Sequence, residues 1–103
     1  MTETQLQRSI IEALQKMGVW VIRTAVSKKR GRGFTGEDGM PDLHVVHYGP
    51  KGESGWLEVK RPGETLNENQ VIWHDRARQA GVRVATVTSP IEAWGVVLDW
   101  RKS

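Results

Sequence analysis

Apolar residues near the start of the chain recur every three or four positions, the spacing of one helix face: Leu6, Ile10, Ile11, Leu14 and Met17. Thr2 and Gln5 have the spacing of a capping box, in which the two side chains satisfy the first backbone N–H groups. Gly18 is typical of the residue that follows a helix end. The pattern therefore predicts a first helix that begins after Thr2 and ends before Gly18.

Four short apolar runs predict strands, at residues 19–23, 42–46, 56–60 and 82–87. A polar, glycine-rich stretch at 48–55 separates the second run from the third, so these two form a hairpin. The run at 19–23 is almost continuously apolar, which favours an internal position in the sheet.

Two further helices complete the pattern. Asn67 and Gln70 have the spacing of a second capping box, and Gly81 ends the helix that follows. The apolar positions of this helix are Val71, Ile72, Trp73, Ala77 and Ala80.

The last helix begins at Ser89-Pro90, continues through Leu98, and leaves residues 99–103 as a tail. The order α-β-β-β-α-β-α predicts an α/β fold. It is a mixed sheet with helices on both sides, in which the last strand runs parallel to its neighbour.

Composition narrows the class of protein. The chain has 103 residues, enough for one domain over residues 1–103, and a net charge of +3. It has no cysteine, which excludes disulfides and thiolate zinc sites, and its three histidines lack the spacing of zinc ligands. No apolar run approaches the roughly 20 residues of a membrane span. We therefore expect a soluble cytoplasmic protein.

Alternation of side chains places Asp42, Glu58 and Lys60 on one face of the predicted hairpin, near the same edge. Two carboxylates are the ligands that Mg²⁺ prefers, and a lysine beside them can polarise water or contact phosphate. The simpler interpretation is that Glu58 and Lys60 are solvent-exposed charges on a strand and that Asp42 belongs to a turn.

The segment Pro41-Asp42, fifteen residues, then Glu58-Val59-Lys60 resembles the PD-(D/E)xK nuclease signature. The lead-in Gly39-Met40 and the later segment 66–70, Leu-Asn-Glu-Asn-Gln, resemble the VRR-NUC branch in its compact, stand-alone, phage-type form. The resemblance extends from about residue 3 to 97. It implies a restriction-endonuclease-like αβββαβ core, here followed by a C-terminal helix.

The resemblance also implies roles for individual residues. Asp42, Glu58, the Val59 carbonyl and an acidic residue of the first helix would hold Mg²⁺ or Mn²⁺, and Lys60 would act in catalysis. Glu3 is the expected acid on that helix, and its alternative role is a favourable interaction with the helix dipole.

Two other assignments stay open. Glu12 replaces Glu3 as the metal-binding acid if Glu3 lies elsewhere. Gln70 belongs to the catalytic site in the resemblance, whereas its spacing from Asn67 gives it a capping role.

Basic residues cluster in a long segment before Pro41, at Lys28, Lys29, Arg30 and Arg32. They form either a solvated loop or a contact to the phosphate backbone of DNA. Arg23 at the end of its strand has the same two interpretations, a surface cap or a phosphate contact.

The expected function is that of a metal-dependent DNA endonuclease. Stand-alone VRR-NUC domains resemble dimeric enzymes that act on branched DNA such as four-way junctions, so we expect a homodimer. If the protein is phage-encoded, we expect it in the host cytoplasm. The alternative is a non-catalytic nucleic-acid-binding module that uses residues 28–32. Site-specific restriction ranks lower, because the chain has no room for a sequence-reading domain.

Overall fold

The computed structural model describes residues 1–24 and 38–102. Its helices are α1 (Glu3–Lys16), α2 (Glu68–Gln79) and α3 (Pro90–Lys102). Its strands are β1 (Trp20–Arg23), β2 (Leu43–Val46), β3 (Gly55–Val59) and β4 (Arg83–Val87). Type and order agree with the predicted αβββαβ core and its additional C-terminal helix.

The four strands form one mixed sheet in the order β1-β2-β3-β4. β1, β2 and β3 are antiparallel neighbours, and β4 runs parallel to β3. Among these strands β1 lies at an edge, so the prediction of an internal strand is wrong. Trp20 is 62% exposed and Ile22 39% exposed. They lie on the face of the sheet on which α2 packs, but α2 packs over β3 and β4, away from β1.

The hydrophobic core lies between the sheet and the pair α1 and α3. Leu6, Ile10 and Leu14 of α1 and Val97 of α3 are buried there against apolar side chains of the strands. α2 packs on the opposite face, so the predicted helices on both sides of the sheet are confirmed. No helix within the described residues is both long enough and apolar enough to cross a membrane.

Local capping signals determine where the helices begin. Thr2 and Gln5 exchange two hydrogen bonds, of 2.8 and 3.1 Å, at the start of α1. Ser89 accepts the Glu92 backbone N–H at 3.1 Å at the start of α3. Gly18 and Gly81 follow α1 and α2 with φ of +81° and +79°, the left-handed conformation that ends a helix.

α3 continues to Lys102, so the predicted tail at 99–103 is wrong as far as the structure describes it. Arg101 holds this last turn in place, because its Nε donates to the Tyr48 carbonyl at 2.7 Å and its Nη2 to the Met17 carbonyl at 3.2 Å. Both acceptors lie far away in sequence, which is why local composition did not reveal the extension.

The predicted apolar stripe of α2 is also wrong in part. Val71 and Ile72 are 44% and 50% exposed, whereas His74 and Ala77 are buried. α2 is therefore turned so that polar side chains face the sheet, and they meet Glu58 of β3.

Candidate active site

Thr24 and Val59 hold Asp42 at the end of the hairpin. The Thr24 hydroxyl donates to the Pro41 carbonyl at 2.5 Å, and the Thr24 backbone N–H donates to the Asp42 carbonyl at 2.8 Å. The Asp42 side chain turns toward β3, where its Oδ2 accepts the Val59 backbone N–H at 2.9 Å. Both neighbouring strands thus fix the position of this carboxylate.

Glu58 lies beside Asp42 and is buried, with 1% of its side chain exposed. Loss of water around the carboxyl, its hydrogen bond with Asp42 and the repulsion between the two charges raise the pKa of Glu58 to about 9. The positive charge of Lys60 opposes this increase in pKa. Without a cation beside it, Glu58 is therefore mostly protonated near neutral pH. The simpler interpretation of Glu58, as a solvent-exposed charge on a strand, is therefore wrong.

α2 directs two side chains at the two oxygens of Glu58. Gln70 and His74 are one helical turn apart and share a face of the helix. Gln70 Nε2 donates to Glu58 Oε2 at 3.3 Å, and His74 Nε2 lies 3.7 Å from Glu58 Oε1. Burial, followed by the charge of Arg78, lowers the pKa of His74, so its imidazole is neutral near pH 7.

Gln70 fills both roles that the sequence left as alternatives. Its Oε1 accepts the Asn67 backbone N–H at 2.9 Å, and its own backbone N–H donates to Asn67 Oδ1 at 2.9 Å. The side-chain amide then still has its NH₂ group for Glu58. The capping box thus fixes the orientation in which Gln70 reaches the carboxylate.

Lys60 and Glu3 place opposite charges near Glu58. Lys60 follows β3, where its backbone N–H donates to the Val87 carbonyl at 3.0 Å, and its ammonium lowers the pKa of Glu58. Glu3 lies half-buried in the first turn of α1, and its charge raises the same pKa. Glu12 is exposed further along α1. Glu3 is thus the acid of α1 whose charge acts at the site.

Arg23 is oriented by a buried residue of α1. Its Nε donates to Gln7 Oε1 at 3.2 Å, and Gln7 is only 7% exposed. Arg23 directly precedes Thr24, which holds Asp42, so Arg23 lies at the same end of the sheet as Asp42. Lys28, Lys29, Arg30 and Arg32 lie outside the described residues.

The Asp42–Glu58 pair fits a divalent cation. Glu58 Oε1 is buried and has no hydrogen-bond partner among the described residues, as expected of an oxygen whose partner is a metal. Mg²⁺ is usually held by one or two carboxylates with several waters, and carboxylates also suit Mn²⁺. Within residues 1–24 and 38–102, no three His, Asp or Glu side chains stand close enough together to hold a metal by themselves.

Comparison with known proteins identifies the family of this fold and site. The family model described as "VRR-NUC domain" matches residues 1–90, which include the carboxylate pair, Lys60 and Gln70. This chain belongs to the VRR-NUC domain family. The family is a branch of the PD-(D/E)xK nucleases, as the resemblance in the sequence implied.

A solved structure of a VRR_NUC domain has the same fold as this VRR-NUC chain. The two superpose with a TM-score of 0.73 at 24% identity, over 95% of this chain and 96% of that chain. None of the curated proteins matches the sequence significantly. The family implies DNA as the substrate, and PD-(D/E)xK nucleases generally use divalent metals.

His74 is the site residue that sequence reasoning missed. Its spacing from the other histidines is unsuitable for a zinc site, so composition alone gives it no role. Its separation of four residues from Gln70 is the signal that places both on one helix face. That signal becomes useful only once α2 is known to cover Glu58.

Proposed function

We propose that this VRR-NUC domain is a divalent-cation-dependent endonuclease that acts on branched DNA. The observation that supports it best is the Asp42–Glu58 pair, in which a buried carboxyl with an unpartnered oxygen lies beside a second carboxylate. A structural role alone does not explain this pair, since two adjacent acids oppose each other's ionisation.

Asp42 and Glu58 would bind Mg²⁺ or Mn²⁺, with the Val59 carbonyl as a further protein ligand. Glu3 stands too far from the pair to complete a cluster of three carboxylates, so it would act on the cation through a bound water. When bound, the cation supplies an activated water and stabilises charge on the phosphate. Lys60 orients the attacking water or offsets negative charge in the transition state. No covalent enzyme intermediate is needed.

Arg23 would contact the phosphate backbone beside the scissile bond. Within the described residues its hydrogen bond to Gln7 uses Nε, and the terminal guanidinium nitrogens would contact a phosphate. The basic residues 28–32 lie between Arg23 and Asp42 in sequence. They would extend this phosphate contact along the DNA strand.

Two copies of the domain would cut a four-way junction, with one active site on each of two opposing strands. In support, α3 exposes an apolar stripe with the spacing i, i+3, i+7. Ile91 is 85% exposed, Trp94 38% and Leu98 40%. A second copy packed on this stripe would bury it.

A cleavage assay tests the proposal. A labelled four-way junction and a linear duplex of the same sequence are incubated with Mg²⁺, Mn²⁺ or EDTA. The proteins are wild type, Lys60→Ala and the control Lys51→Ala, which removes an exposed lysine of the β2–β3 turn. We expect metal-dependent cutting of the junction by wild type and Lys51→Ala, and a loss of 10²-fold or more in Lys60→Ala with DNA binding retained.

Each other outcome corrects a different part of the proposal. Equal cutting of both substrates retains the nuclease and removes the preference for branched DNA. Binding without cutting in every metal favours the non-catalytic module. Parallel loss of binding and cutting in Lys60→Ala contradicts the catalytic role of the lysine.

A further inference from the structure

His74 is a buried histidine without a hydrogen bond to any residue that the structure describes. Its side chain is 1% exposed, and within residues 1–24 and 38–102 neither Nδ1 nor Nε2 has a partner. Burying polar groups without partners costs free energy, so most buried side-chain nitrogens in proteins are paired. Glu58 Oε1 lies 3.7 Å from His74 Nε2, and this oxygen is itself buried and without a partner among the same residues. Three unpaired polar atoms therefore lie together at this one position.

We infer that His74 is a positioning residue, whose Nε2–H fixes the Glu58 carboxylate in the orientation that binds the divalent cation. This inference rests on the proposed function. His74 touches neither substrate nor cation in this role. It acts through Glu58, as residues behind metal-bound carboxylates commonly do.

The contacts of α2 explain how two residues can fix one carboxylate. Gln70 holds Glu58 Oε2 at 3.3 Å, and a carboxylate held at one oxygen can still rotate about that contact. A bond from His74 to Oε1 removes this freedom. The gap of 3.7 Å exceeds a hydrogen bond by a few tenths of an ångström, so a small rotation of either side chain closes it.

An imidazole suits this position, because with a proton on Nε2 it donates to Glu58 Oε1. Each carboxylate oxygen has two lone pairs, so Oε1 can accept from His74 and still bind a metal. Trp73 packs edge-on against the imidazole, with ring centroids 6.4 Å apart at 75°, and limits its movement.

Manganese binding tests this role without depending on turnover. Calorimetry measures Mn²⁺ affinity for wild type, His74→Leu, His74→Gln and the control Ile72→Ala, an exposed residue of the same helix. We expect His74→Leu to weaken binding 10- to 100-fold, the usual effect of removing such a partner. His74→Gln, which restores an N–H donor, should recover most of the affinity, and Ile72→Ala should leave it unchanged. Circular dichroism in EDTA establishes that each variant folds.

Cleavage at varied Mg²⁺ provides a second readout. For His74→Leu we expect a rise in the half-saturating Mg²⁺ concentration, with a rate at saturating Mg²⁺ close to that of wild type. A purely structural role predicts the reverse, a lower rate at every concentration with an unchanged midpoint. If His74→Leu does not fold, His74→Met replaces it, because an unbranched side chain fits irregular space more readily.

The two proposals can fail separately. If the wild type neither binds Mn²⁺ nor cuts DNA, the proposed function itself is wrong. If the wild type does both, and the apolar variant has the same Mn²⁺ affinity and Mg²⁺ midpoint, the role of His74 alone is overturned.

Discussion

Gly39 lies directly against Asn69 in the first turn of α2, with no space between them for a side chain. A Cβ on Gly39 would lie 2.5 Å from the Asn69 carbonyl carbon and 2.9 Å from the Gln70 backbone nitrogen. Gly39 also has φ of +82°, which side chains disfavour. The segment that leads into Asp42 and the helix start that carries Gln70 are therefore packed as one unit, although 30 residues separate Gly39 from Asn69.

This contact predicts that Gly39→Ala destabilises the fold more than an alanine elsewhere in the same conformation. Gly18 is the matched control, because its φ is +81° and a Cβ there meets no atom of the described residues within 4 Å. Gly18→Ala should cost about 1 kcal/mol through its backbone alone. Gly39→Ala should cost about 1–3 kcal/mol more, because the helix start must move. Urea unfolding measures both, and equal losses would show that the approach to Asn69 is unimportant.

The raised pKa of Glu58 predicts a specific dependence of stability on pH in the metal-free protein. The carboxyl titrates near pH 4.5 when unfolded and near 9 when folded. The folded state therefore holds its proton longer, and the free energy of unfolding falls as pH rises from about 4.5 to 9. The difference in pKa corresponds to about 3 kcal/mol at pH 7. Glu58→Gln keeps the shape without ionising, so it should be more stable than wild type at pH 8.

Unfolding curves of both proteins in EDTA between pH 5 and 9 check this prediction, because titration of the groups that do not interact with Glu58 cancels in their difference. The difference should grow with pH. Added Mn²⁺ should stabilise the wild type, in which Glu58 then ionises, and should have little effect on Glu58→Gln. Parallel pH profiles of the two proteins would mean that Glu58 is ionised in the folded state.

Features that depend on neighbouring residues were predictable from the sequence. The capping boxes at Thr2 and Asn67 form as predicted, because both partners of each box lie within four consecutive residues. Strand alternation also places Asp42 and Glu58 together, since a hairpin fixes which residues share a face.

Features that depend on how a helix lies across the sheet were not predictable. Val71 and Ile72 gave α2 an apolar stripe, yet the helix buries His74. A buried polar residue that faces another buried polar residue leaves no trace in hydrophobic periodicity. Glu58 appeared exposed for the same reason, because its cover comes from a helix whose rotation only tertiary packing decides.

Gly55 is another glycine whose close neighbour leaves no room for a Cβ. A Cβ there would lie 2.5 and 2.8 Å from two ring carbons of Trp100, which packs over β3. Gly55→Ala should therefore cost about 1–3 kcal/mol of stability, whereas the exposed neighbour Ser54→Ala should change it by less than about 0.5 kcal/mol. Thermal or urea unfolding measures both. In a Trp100→Ala background most of the Gly55→Ala effect should disappear, and an undiminished effect would place its cause elsewhere.

The exposed stripe of α3 predicts that two copies associate through Trp94. Light scattering on eluting protein at micromolar concentration should give twice the chain mass of 11.6 kDa. Trp94→Arg should shift this toward the single-chain mass, because a charge in an apolar contact loses its water without gaining a partner. Val71→Arg is the matched control, since Val71 is similarly exposed, at 44% against 38%, but lies on α2. A wild type of single-chain mass would contradict the dimer. A dimer that survives Trp94→Arg and not Val71→Arg would place the interface on α2, beside the carboxylate site.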